Sequence, residues 1–233
     1  MSCKQVRYPL GKRLLSASKF VRQGAYFADI GTDHAHLPLF LLDEGIIERA
    51  VCTDINKGPL ESAIRNAEER GHSDKITFRL TDGAAGLSDM GITDYAICGM
   101  GGELIANIIE SSEHLRRDGV RLILQPMSKQ AHLRRAISKL GFITVGESYS
   151  YDAGKYYVCI CAEYSGEPRE INDFEAEFGN LPPRADFSPE MQGYFDEKIK
   201  ALKKAADGKT KGGVHDSAEA ELLREYDRRV SDT

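Results

Sequence analysis

Phe142-Ile-Thr-Val-Gly-Glu-Ser-Tyr-Ser-Tyr151 and Lys155-Tyr-Tyr-Val-Cys-Ile-Cys-Ala-Glu-Tyr164 flank the turn Asp152-Ala-Gly154. Two extended runs around a short Gly-containing turn read as an antiparallel hairpin. Everything upstream reads differently. Ala25-Tyr-Phe-Ala-Asp-Ile30, Ala50-Val-Cys-Thr-Asp54, Ile76-Thr-Phe-Arg-Leu80, Tyr95-Ala-Ile-Cys98 and Arg121-Leu-Ile-Leu-Gln125 are short apolar strands. Helical segments alternate with them. One starts near Pro38 and ends at Gly45; others open at Gly58-Pro59, after Gly99-Met-Gly-Gly102 and at Ser128, which is placed to cap. A helix over Leu10–Val21 precedes the first strand, and Pro126 is expected to end the fifth.

Alternating strands and helices predict a parallel sheet covered on both faces, and the hairpin makes that sheet mixed. Five such units followed by an antiparallel pair is the element order of the class I methyltransferase fold: α/β, Rossmann-like, with a mixed seven-stranded sheet. Dinucleotide-binding Rossmann domains lack the closing hairpin. The expected organisation is a catalytic domain over 1–166, an acidic, Pro-containing linker over 167–187, and a helical extension over 188–233. In the extension, Met191, Phe195, Ile199, Leu202 and Ala206 form one apolar stripe. Gly208 to Gly213 is expected to break it, Asp216 with Glu219 resembles a capping box, and Tyr226 and Val230 continue a second stripe. The pair predicts a coiled-coil-like helical hairpin.

The 233 residues allow one sizeable core and a small appendage. Apolar residues at 41% and charged residues at 29% fit a globular chain, and no run approaches the length of a membrane span. No apolar run of signal-peptide length follows the basic N-terminus, so a cytoplasmic address is the default. Cys3, Cys52, Cys98, Cys159 and Cys161 lack CxxC spacing and read as reduced thiols.

The net charge of −5 argues mildly against a nucleic-acid partner, but the cations cluster. One cluster is Lys4, Arg7, Lys12, Arg13, Lys19 and Arg22; a second is Lys129, Arg134, Arg135 and Lys139; a third runs from Lys198 to Lys211. Each reads either as a solvated helix face or as an RNA contact.

Ligands of open α/β sheets bind beyond the carboxyl ends of the strands. Asp29-Ile-Gly31, Asp54, Asp82-Gly83 and Gly99-Met-Gly-Gly102 all fall there. Gly31 permits a tight turn, and an acid ending the second strand can accept from ribose hydroxyls. Asp54 reads equally as a helix cap. Asp33 stands where a pyrophosphate loop needs its second glycine, and its charge suits a sulfonium and amine instead. Asp33, His34 and His36 also allow a metal reading, but their spacing is not that of a zinc enzyme, and no metal is expected.

The run Ala28-Asp-Ile-Gly-Thr-Asp-His-Ala-His-Leu-Pro38 closely resembles a motif of the bacterial tRNA (adenine(22)-N1)-methyltransferases of the TrmK type. Lys12-Arg-Leu14, Gly58-Pro59, Asp82-Gly83, Gly99-Met-Gly-Gly102, Leu122-Ile-Leu-Gln-Pro126 and Lys155–Glu163 fit the same family, as does the helical extension. The resemblance implies methyl transfer from S-adenosylmethionine to N1 of an adenosine in the tRNA D-loop. Carried over by position, Asp29, Gly31, Asp33, His34, Asp54, Asp82, Gly83, Gly99, Met100 and Gly101 would form the donor site. Lys12, Arg13, Gly102 and Gln125 would meet the RNA substrate. Gln125 reads either as a contact to the base edge or as a satisfied strand-end amide. Family members usually carry Asn where Met127 stands here. N1 attack needs alignment rather than a base, and no catalytic base is assigned. The alternatives are a methyltransferase acting on protein or a small molecule, and a non-catalytic RNA-binding protein on the same fold. The expected assembly is a monomer or weak dimer. If the extension grips tRNA, deletion from Ser188 onward is expected to weaken RNA binding and spare donor binding.

Overall fold

Residues 10–212 and 216–231 are described by the structure, a computed structural model; Cys3, Lys4, Arg7 and Gly213 lie outside them. Seven strands, β1 (Tyr26–Ile30), β2 (Arg49–Asp54), β3 (Ile76–Leu80), β4 (Asp94–Gly101), β5 (Arg121–Ser128), β6 (Phe142–Asp152) and β7 (Lys155–Tyr164), form one sheet. Its order is β3-β2-β1-β4-β5-β7-β6. The first five strands are parallel, and β7 is antiparallel to both neighbours. The expected mixed sheet is therefore present.

Alternation along each strand sorts its side chains between two cores. Phe27, Cys52, Ala96, Ile123 and Cys159 pack beneath α1 (Lys12–Ser18), α2 (His36–Asp43) and α3 (Lys57–Glu69). Ala28, Ile30, Tyr95, Ile97, Leu122, Leu124 and Ile160 pack on the other face. That face is covered by α4 (Gly102–Ser111), α5 (Gln130–Lys139), α6 (Asp173–Phe178), α7 (Pro189–Lys211) and α8 (Ala218–Ser231). The hairpin turn places Ala153 and Gly154 at φ 47° and 81°, as a tight two-residue connection requires. Cys52, Cys98, Cys159 and Cys161 are free thiols, and burial pushes them up, Cys98 to about 12.

Several boundaries depart from expectation for local reasons. β5 runs through Pro126, because β4 is irregular opposite it, around Met100, where a missing N–H costs little. Ser128 stays in the strand, paired with Gly101, so Lys129 in a left-handed conformation (φ 58°) starts α5 in its place. α7 continues through Gly208 to Lys211, its last turn tied to α8 by Lys209 and Glu219 at 2.7 Å. Ser217, not Asp216, caps α8 by accepting from the Ala220 amide at 3.3 Å; Asp216 faces Arg224.

The expected linker is also structured. Asn172 and Glu175 form a capping box at the start of α6, which buries Phe174, Ala176 and Phe178. Phe178 packs on Phe195 of α7 and Tyr226 of α8, so the extension shares the core of the sheet. The cations of the second cluster are all engaged: Arg134 is buried against Glu147 at 2.7 Å, and Lys129, Arg135 and Lys139 face Glu103, Asp173 and Glu170. Lys198 likewise pairs with Glu177 at 2.7 Å. Among the described residues no helix is long and apolar enough to cross a membrane, and no cluster of three or more His, Cys, Asp or Glu could hold a metal.

Candidate active site

Parallel registration carries the singled-out residues to one edge. Asp29 is level with Cys52, Asp54 with Leu80, and Cys98 with Gln125. The loops are stitched together just above: Thr32 N donates to Thr53 O at 2.7 Å, Thr81 N to Asp54 O at 3.0 Å, and Thr53 Oγ1 to Gly83 O at 3.0 Å.

Asp29 is the buried carboxylate of this edge. It is 7% exposed and accepts from Thr32 Oγ1 at 2.6 Å. Burial pushes its pKa up to about 6, with Asp33 and Asp54 adding to the rise and the Thr32 hydroxyl and Arg13 opposing it. Asp54 accepts from the Asn56 amide at 2.7 Å, so one of its oxygens shapes the turn into α3. Asp33 points outward, with 82% of its side chain exposed, beside His34 Nε2 at 3.1 Å. His34 and Ala35 both adopt left-handed backbone (φ 62° and 55°), which starts α2 at His36, ahead of the expected Pro38.

The glycines divide by role. A methyl on Gly31 would run into the end of the Met100 side chain, so the last residues of β4 lie directly over the β1 turn. Gly99 (φ 80°) faces the Arg13 guanidinium, and Gly101 faces Ser128 Oγ. Gly102 is buried against backbone: a Cβ there would stand 2.5 Å from Lys129 O and 2.8 Å from Ser128 O. It was expected to meet substrate, but its visible role is to let α4 start against the β5–α5 connection. Asp82 and Gly83 border a cavity of about 540 Å³ beside α4, with Asn107, Ile108 and His114.

Gln125 is fully buried. Its Oε1 accepts from Arg13 Nη1 at 2.5 Å and from the Gly99 amide at 3.1 Å. Its Nε2 reaches Pro126 O at 3.3 Å. Of the two sequence readings, the satisfied strand-end amide is the one seen. Gln125 and Arg13 hold the glycine loop from beneath. The Arg13 amide also donates to Asp152 Oδ2 at 3.1 Å, fastening α1 to the hairpin tip. Thr32 and Asp152 were missed. Thr32 lies within the motif and could have been found as a hydroxyl three residues after Asp29. Asp152 is 139 residues from Arg13, and nothing local announces that pairing. Lys12 is exposed and lines a groove beside β6 rather than the donor edge.

The edge thus gathers carboxylates and close-approach glycines around a turn too tight for a side chain. That donor set fits a ligand bearing a sulfonium, an ammonium and ribose hydroxyls, and it repels a pyrophosphate. Comparison with known proteins agrees. Residues 10–160 match the model of a methyltransferase domain. The Bacillus subtilis tRNA (adenine(22)-N(1))-methyltransferase is 34% identical over 154 residues, covering 66% of this chain and 65% of that protein. The match therefore spans just under two thirds of that relative's length. A Streptococcus pneumoniae protein described as a candidate tRNA (m1A22) methyltransferase has been solved twice. One structure has 31% identity and a TM-score of 0.78, covering 96% of this chain and 99% of that one. The other, in complex with S-adenosyl-L-methionine, has 32% identity and a TM-score of 0.79, covering 92% and 100%. With its matched residues and its sheet order in agreement, the chain belongs to the methyltransferase-domain family.

Proposed function

We propose that this protein transfers a methyl group from S-adenosylmethionine to N1 of adenosine 22 in the D-loop of tRNA. The observation that carries the reading is the single edge where buried Asp29, the Gly31 turn, Asp54 and the Gly99–Gly102 loop converge. Bound there, S-adenosylmethionine supplies an activated methyl on a sulfonium. Asp29 and Asp33 provide negative charge for its cationic groups, and Asp54 keeps acceptor capacity for ribose hydroxyls. Asp82 and Gly83 flank the adenine end. Gly99, held by Gln125 and Arg13, fixes the loop against which the target base lies.

The N1 lone pair of an unpaired adenine is already available. It forms the new N–C bond as the C–S bond breaks, and the methylated base carries away the positive charge. No proton moves, so the residues act by alignment and exclusion of water. Exposed Lys203 and Lys204 on α7 and Lys12 on α1 are assigned to RNA phosphates. The reading carries a cytoplasmic address, where tRNA is found, and a monomer or weak dimer.

The test uses methyl-labelled S-adenosylmethionine, unmodified bacterial tRNA and nucleoside mass spectrometry. N1-methyladenosine in the D-loop, lost in Asp29→Ala and Asp54→Ala, is the expected result. Donor binding by calorimetry without transfer to any tRNA would move the substrate to protein or small molecules.

A further inference from the structure

A groove of about 740 Å³ runs along the outer strand β6, between α1 and the segment that leads into α7. We propose that this groove, with the Tyr151 ring at its mouth, holds an unpaired stretch of substrate RNA next to the target nucleotide. The inference rests on the tRNA methyltransferase reading above and names where that RNA lies.

Charge sets the direction. Between Gly11 and Gln23 the chain has four cations and no acid. Arg13 and Arg22 are engaged with Gln125 and Asp94, which leaves Lys12 and Lys19 exposed along the groove. Lys155 is exposed at the hairpin tip. Asp186 and Glu190 stand on the opposite wall, so the phosphates belong on the α1 side.

Tyr151 supplies the aromatic face. It is 44% exposed and rests on Tyr156 with ring centroids 4.6 Å apart. Tyr156 is itself braced by α7, where Gly193 leaves no room for a Cβ against the ring. The cations lie on the α1 face of β6 and the ring on its α7 face, so a strand of RNA crossing this sheet edge meets both, the combination that holds single-stranded nucleic acids without sequence readout.

Register places this face within reach of the target. Ser148 pairs with Cys159, and Leu124 with Ile160, so Gln125 and Ser148 are level. Tyr151 stands three residues further toward the donor edge. That is about 10 Å along the strands and about 10 Å across them from Gln125. A base extruded toward Gly99–Gly102 leaves its neighbours unstacked. Tyr151 gives one of them a new face. Arg13 ties the two places together, with its amide on Asp152 and its guanidinium on Gln125.

The experiment compares wild type, Tyr151→Ala and Tyr151→Phe on tRNA carrying 2-aminopurine one nucleotide from the target. Wild type and Tyr151→Phe are expected to quench the probe on binding. Tyr151→Ala is expected to lose the quench and to raise Kd and KM for tRNA by about fivefold or more. Donor affinity by calorimetry stays unchanged. Lys12→Ala and Lys19→Ala are each expected to reduce the salt slope of tRNA binding by about 0.7. Tyr151→Ala with wild-type affinity, KM and quench overturns the site. A wild-type protein that neither binds nor methylates tRNA overturns the reading beneath it as well.

Discussion

Asp29 shows how one buried side chain can be tuned against stability. Its carboxyl is enclosed at the end of β1 with one neutral hydrogen bond, from Thr32, and a pKa raised to about 6. Between about pH 4 and 6 the folded chain keeps a proton that the unfolded chain has already released. Stability therefore falls as pH rises through that window, and above it the full penalty remains, on the order of 2–3 kcal/mol. Asp29→Asn removes the charge, and its amide oxygen still accepts from Thr32. The unliganded variant is expected to melt several degrees above wild type at pH 7–8, with the gap closing below pH 4. Thermal unfolding across pH 4–8 checks this, and a gap that does not vary with pH would show that Asp29 does not titrate in the window. Donor binding should be lost in the same variant if, as proposed, the charge that destabilises the empty site is the one that meets the cation. Donor affinity of wild type should accordingly weaken below pH 6.

Elements were legible where their signal was local, and obscured where a partner far along the chain decided. All seven strands follow from apolar runs and Gly-rich turns, and the hairpin follows from its own residues. The ends of β5 and the start of α5 did not, because Pro126 and Ser128 answer to the bulged end of β4 rather than to their neighbours. α6 reads as linker because its acids hide two buried phenylalanines, whose partners lie on α7 and α8. The convergence of the proposed donor residues at one edge was legible as a set of strand ends. The support beneath it was not, since Arg13 reaches Gln125 across 112 residues. Gly193 makes the same point in α7. Intrinsic propensity alone favours Ala there by about 1 kcal/mol. The packing reverses the sign, because the added methyl would meet the Tyr156 ring. Gly193→Ala is expected to cost about 1–2 kcal/mol and lower Tm by a few degrees. A thermal melt decides it, and in a Tyr156→Ala background the same change should cost little.

At the scale of the whole molecule the extension is a wall of the core as well as an arm. Met191, Tyr194, Phe195 and Tyr226 are all buried in the cluster that contains Val158, Ile160 and Phe178. α7 also covers the polar group in which Glu147 accepts from Arg134 at 2.7 Å and from the Tyr149 hydroxyl at 2.8 Å. Removing residues from Ser188 onward would uncover Tyr149, Phe174 and Phe178 and admit water to that ion pair. Losing one buried Phe typically costs about 3–5 kcal/mol, against a total stability of about 5–15 kcal/mol. The truncated chain is therefore expected to lose the hairpin edge, and donor binding with it, contrary to the sequence-based expectation that donor binding would be spared. Thermal unfolding and calorimetry of the truncated protein check this, and wild-type Tm with wild-type donor affinity would make the extension an independent arm. The RNA role needs a gentler probe. Lys203 and Lys204 are exposed on α7, so Lys203→Glu with Lys204→Glu should leave Tm and donor affinity in place. Because each phosphate contact releases counterions, the double variant should bind tRNA more weakly and with a shallower salt dependence. Unchanged tRNA affinity across a salt series would remove α7 from the RNA interface and leave α1 and the β6 groove as the proposed contact.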